Sequence, residues 1–233
     1  MLVDYSSFDI DDPLLEATCE VYAVQDYYEF LEKQLKRVQR THKLSLDTQL
    51  KTQKLTQDDP EWHEAIQEYS HWVEFILPRF FCSPFLVSLY ALYESIVFEV
   101  ATAIQTLNPT LKRFQSFKKK KGRLGFLEIS RQYYSEVLNI ELCPAVATWE
   151  KLITLSKFRH AIAHANGRIE SLRPPNLKTE VIQMARDISD VDTYSGYITF
   201  GKEFVADTTR LVLDELLRFI EENREACRPK RTV

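Results

Sequence analysis

Between Pro84 and Leu107 the chain carries Phe85, Leu86, Leu89, Leu92, Ile96 and Val100, and its only charges are Glu94 and Glu99. Apolar side chains returning every three or four positions line one side of a helix, and a helix so poor in charge must bury most of its circumference. The remaining elements have to be layered around it, and other helices do this most simply. Only 5 glycines among 233 residues agree, because a turn-rich β fold needs more positions of free backbone. A chain of this length can bury a sizeable core. The expectation is an all-α bundle, a single domain over 1–233 with its core at about 60–222 and an N-terminal helix over 13–40 packed on it.

The local signals fill in that plan. Asp12-Pro13, Asp59-Pro60 and Ser83-Pro84 each offer an acceptor side chain at the N-cap and a proline at the first helical position. Helices are predicted from Pro13 to about Arg40, from Pro60 toward Phe81 with a kink or stop at Pro78, and from Pro84 to Leu107. Further helices follow over about 124–138, 144–165, 177–187 and 202–225. Residues 41–58 read as a loop or frayed extension. Asn166-Gly167 is a helix stop, and the alternation in Tyr194–Gly201 predicts a small extended arm or hairpin strand.

Bulk properties narrow the function classes. The net charge of -4 gives no global attraction to nucleic acid, although a local patch can still capture phosphate. Cys19, Cys82, Cys143 and Cys227 form no C-x-x-C pair and read as reduced thiols, which suits a cytoplasmic setting. The start of the sequence has neither a basic n-region nor an apolar h-region, so no signal peptide is expected. The uncharged stretch Phe80–Tyr93 is too short to span a bilayer, and no membrane association is expected.

The densest chemical signal is Lys157-Phe158-Arg159-His160-Ala161-Ile162-Ala163-His164-Ala165-Asn166-Gly167. One arginine and two histidines within six positions end an otherwise apolar helix. At about 100° per residue, His160 and His164 lie within roughly 40° of each other, while Arg159 and His164 are roughly 140° apart. A straight helix cannot aim Arg159 and His164 at one atom. Either the helix distorts before Gly167, or a second copy of the chain supplies the missing partner. The i, i+4 histidines also have metal-ligand spacing, but no Glu follows His160 and no third ligand stands nearby, so neither metal nor cofactor is expected.

Arg159-His160-Ala161-Ile162-Ala163-His164 resembles the R-x4-6-H signature of the HEPN superfamily, whose arginine is typically followed by a polar residue. The placement on a late helix of an all-α bundle, and Ser83–Ser95 as a long central helix, are similar to a prokaryotic branch of that superfamily. The resemblance implies a homodimer whose two motifs meet and cut RNA without metal. It implies His164 as general base or acid, Arg159 as the phosphate clamp, His160 as an orienting or phosphate-binding group, and Asn166 and Glu94 as supporting residues. Members paired with nucleotidyltransferases often carry a tyrosine two residues after the histidine; Asn166 stands there in this chain.

A second signal is basic. Seven of the twelve residues from Lys112 to Arg123 are Lys or Arg, namely Lys112, Arg113, Lys118, Lys119, Lys120, Lys121 and Arg123, with Phe114 and Phe117 interleaved. Read as a flexible loop, this stretch could steer RNA with its charges and stack bases on its aromatics. The expected function is a metal-independent endoribonuclease of toxin or phage-defence type, with RNA, a second copy and a cognate antitoxin or defence partner as its partners. The competing expectation is a HEPN-like domain that dimerises or binds a partner or RNA without cutting.

Overall fold

The computed structural model describes residues 12–121 and 124–229. The fold is all-α, with one small hairpin. Helix α1 spans Leu15–Gln53, α2 Pro60–Ser70, α3 Leu77–Leu107, α4 Phe114–Lys121, α5 Phe126–Tyr133, α6 Val146–Ala165, α7 Pro175–Asp187 and α8 Lys202–Asn223. Strands β1 (Val191–Tyr194) and β2 (Tyr197–Phe200) pair antiparallel between α7 and α8. Two compact units share these elements. Of the described residues, the first comprises those within 12–26, 88–156 and 207–229, the second those within 27–87 and 157–206.

In the first unit the core is aromatic. Tyr134, fully buried, donates its hydroxyl to the Val97 carbonyl (2.6 Å) and meets Phe219 edge-on, the ring centroids 5.3 Å apart. Tyr133 packs edge-on against Phe114 (5.0 Å) and accepts a hydrogen bond from Gln105 Nε2 at 2.7 Å. The start of α1 is held by Asp12, which accepts the Leu14 N–H at 3.1 Å and pairs with Arg224.

In the second unit α1 is longer than its sequence pattern indicates. Residues 41–53 continue the helix instead of forming a loop, and Thr41, Thr48 and Thr52 each turn a hydroxyl back onto the carbonyl four residues earlier. Tyr28 packs on Phe85 (5.2 Å) and His42 stacks on Trp72 (6.3 Å).

Neither Pro78 nor Pro84 breaks the chain as its sequence suggests. The run Pro60–Leu107 is helical throughout, with a π-helical turn at His71–Ile76 between α2 and α3. A proline within a helix clashes with the carbonyl four residues back and leaves an acceptor unfilled. The wider π turn relieves that crowding at Pro78 and makes Val73, five residues back, the acceptor without a donor. Gln39 Nε2 of α1 fills it at 3.1 Å. Pro84 sits inside α3, exposed like Phe80, the residue whose carbonyl it leaves without an N–H. Asp59 also departs from expectation: it precedes α2 without a side-chain cap, its carboxylate accepting Thr56 N–H and Oγ1 instead. By length and composition alone the run Pro60–Leu107 could cross a bilayer, but 44% of its most apolar window is buried inside the protein, and Leu86, Leu89, Ile96 and Val100 of the same run are among the buried residues.

The arm expected near Tyr194–Gly201 is the hairpin, which starts earlier, at Val191. Ser195 (φ 50°) and Gly196 (φ 80°) form its tight turn, both left-handed as a two-residue hairpin loop requires. On its outer edge the Thr193 N–H donates to the Asp192 carboxylate (2.6 Å) and the Val191 N–H points at the Ile188 carbonyl (3.4 Å). Asp190, thirteen residues before Glu203, caps α8: its Oδ2 accepts the N–H groups of Glu203 (2.7 Å) and Phe204 (3.0 Å). A methyl group on residue 201 would overlap that carboxylate, so the cap requires Gly201. Asp190 also has φ 64°, where alanine is strained. Asp190→Ala is expected to lower unfolding free energy by about 2 kcal/mol, and Asp190→Asn by much less, as urea titration would measure.

Candidate functional site

Helix α6 carries the motif. Leu152, Leu155, Phe158, Ala161 and Ile162 are buried at helical spacing, which fixes the rotation of the helix. Phe158 is wedged edge-on against Phe200 (5.2 Å) and Phe204 (5.8 Å), so β2 and the start of α8 set the end of α6. Lys157 pairs with Glu180 of α7 at 2.9 Å. The helix stays regular through Ala165; Asn166 (φ 51°) and Gly167 (φ 72°) then turn left-handed and end it, the Gly167 N–H reaching back to the Ala161 carbonyl at 3.1 Å. The sequence left two routes open, a distorted helix or a second copy, and the helix is undistorted.

The two imidazoles stand side by side, ring centroids 4.5 Å apart and planes tilted by 47°. His164 is exposed; His160 and Arg159 are half-buried, and the Nε of Arg159 is out of contact with solvent. Burial, followed by the neighbouring His164, holds the His160 pKa below that of an ordinary histidine, opposed by a hydrogen bond to the Arg173 backbone.

Asn166 contributes through its main chain. Its carbonyl accepts a hydrogen bond from Arg79 Nη2 at 3.0 Å, and the Arg79 guanidinium lies 3.8 Å above the ring of Tyr197. Arg79 is a neighbour of the motif that the sequence reading missed. It lies 87 positions from Asn166, follows Pro78, and belongs to no motif that could have marked it.

The other expected site residues belong to the first unit. Glu94 is half-buried on α3. Lys118, Lys119 and Lys120 are exposed on α4, with Lys112 and Arg113 exposed just before it. The segment is a short helix rather than the flexible loop expected of it. Phe114 and Phe117 are buried, 2% and 3% exposed, so they pack on Tyr133 and cannot stack on bases. Lys121 is partly committed to Glu136 at 3.3 Å, and its ammonium and that of Lys112 lie 5.0 and 4.8 Å over the Phe117 ring. Arg123 falls outside the described residues. Among the described residues, no three His, Cys, Asp or Glu side chains stand together so as to hold a metal ion.

Compared with protein-family models, curated proteins and solved structures, the chain matches none.

Proposed function

We propose that the chain is a metal-independent endoribonuclease of toxin or phage-defence type, HEPN-like, that cuts RNA at a site assembled from two copies. The observation that carries this reading is the pair His160–His164, with His164 open to solvent at the end of a helix that remains regular. A regular helix keeps Arg159 and His164 roughly 140° apart, so a clamp and a proton carrier at one phosphate come from different protomers. A two-fold axis does this with no further element.

The chemistry needs only these groups. The RNA 2′-oxygen attacks phosphorus as one His164 takes its proton. The bond from phosphorus to the 5′-oxygen breaks as the partner copy's imidazolium gives that oxygen a proton. The products are a 2′,3′-cyclic phosphate and a free 5′-hydroxyl. Imidazole, with an ordinary pKa of about 6.5, serves either role near neutral pH, and guanidinium donates in parallel to the non-bridging oxygens. His160, its ring against that of His164, orients it. The exposed lysines of α4 supply an electrostatic track for RNA. On this reading the protein works in the cytoplasm, away from the bilayer, under the control of an antitoxin or defence partner.

The buried Arg159 Nε favours a second reading, in which the guanidinium holds structure and the domain dimerises or binds RNA without cutting. Incubating the purified protein with RNA in EDTA decides between them. Cleavage to cyclic-phosphate ends in chelator is expected; cleavage that EDTA abolishes, or dimerisation and RNA binding with no cleavage, would overturn the nuclease reading.

A further inference from the structure

The hairpin and the helix beneath it place flat aromatic surface next to the motif. His71, Phe75 and Arg79 recur at four-residue intervals. The Tyr194 ring centroid lies 4.6 Å from Phe75 and 6.0 Å from His71, so the ring is held from behind, yet the residue stays 47% exposed. Tyr197 is its direct cross-strand partner, which puts both rings on one face of the hairpin. There the Arg79 guanidinium covers Tyr197.

This patch is bonded to the end of the motif. Besides the Arg79–Asn166 contact, the Ile198 N–H donates to the Gly167 carbonyl and the Ile169 N–H to the Gly196 carbonyl, both at 2.9 Å. Asn166 is only two residues beyond His164. On its other side the patch borders a cleft shared with α1, lined by acidic side chains such as Glu74 and Asp192 and by the basic Lys36, Arg79 and Lys202.

A rigid, half-exposed ring beside a stacked guanidinium suits a partner with a flat π face and a negative backbone. Unpaired nucleotides have both, whereas the bases of a duplex are already stacked inside it. We infer that Tyr194, backed by Phe75 and His71, and Arg79 on Tyr197 form a ledge on which an unpaired base of single-stranded RNA stacks beside the scissile phosphate. This rests on the nuclease reading and names its substrate class.

The test is fluorescence anisotropy on the full chain with a short labelled single-stranded RNA of mixed sequence, 2′-O-methylated so that it cannot be cut. Tyr194→Ala is expected to weaken binding about tenfold, Tyr194→Phe to restore it and Tyr194→Leu to fail, while a duplex of the same composition binds all variants alike. Equal binding by Tyr194→Ala, or rescue by leucine as good as by phenylalanine, overturns the ledge. So does a loss that sedimentation traces to a dimer falling apart, since the patch would then be a surface for a second copy. Binding that depends on Tyr194 without cleavage of ordinary RNA sinks the nuclease reading alone; cleavage with Tyr194-independent binding sinks the ledge alone.

Discussion

The His164→Ala protein is expected to cut RNA at least about 100-fold more slowly than the parent, the low end of what a positioned proton carrier contributes. Its stability should be unchanged, because His164 is exposed and the helix around it is held by Phe158, Ala161 and Ile162. Arg159→Ala is expected to lose activity on a similar scale through the missing clamp. The two inactive proteins should then rescue each other only in part. In a mixed dimer the His164→Ala chain still offers Arg159 and the Arg159→Ala chain still offers His164, so one clamp and one proton carrier are intact, although the second imidazole of the reaction is missing. Gel-resolved cleavage of an end-labelled RNA by each variant and by their equimolar mixture measures this. A mixture as inert as its parents would refute the shared site, and an active His164→Ala would refute the role of the imidazole.

Phe158→Ala is expected to lower the unfolding free energy by about 3–5 kcal/mol, the usual cost of removing a buried aromatic ring from a packed core. Phe158 is 0% exposed and meets both Phe200 and Phe204, so little around it can collapse into the space. The urea midpoint should fall with an unchanged slope. Phe158→Leu fills most of the volume and should cost considerably less. Cleavage by either variant, measured where it is still folded, should exceed that of His164→Ala, because Phe158 holds the motif without touching the phosphate. A shift under 1 kcal/mol would show that the end of α6 is anchored elsewhere.

Most of the helices were legible because burial leaves a period. The apolar positions of α3, α6 and α8 return at helical spacing, and Asn166-Gly167 marked the end of α6 to the residue. The failures have physical causes. Proline was read as punctuation at Pro78 and Pro84, but a π turn and the side chain of Gln39, 34 positions before Val73, supply what Pro78 takes from the backbone. The four consecutive lysines suggested a loop, yet Phe114 and Phe117, three apart, are the buried face of a short helix. Within the site, Arg159, His160 and His164 were visible as a cluster of unusual residue types. Arg79 was not, since its place beside Asn166 is set by tertiary contacts alone.

The Asp192 carboxylate on the outer edge of β1 bears on how copies of this chain can join. A third strand adding there would need the amides of Thr193 and Val191, and both point at acceptors within their own chain. A newcomer would have to break those contacts and set its own carbonyls against a negative charge. Growth of the two-stranded ribbon into a larger sheet, or into a fibre, is thereby discouraged, and pairing between copies is left to the helical faces.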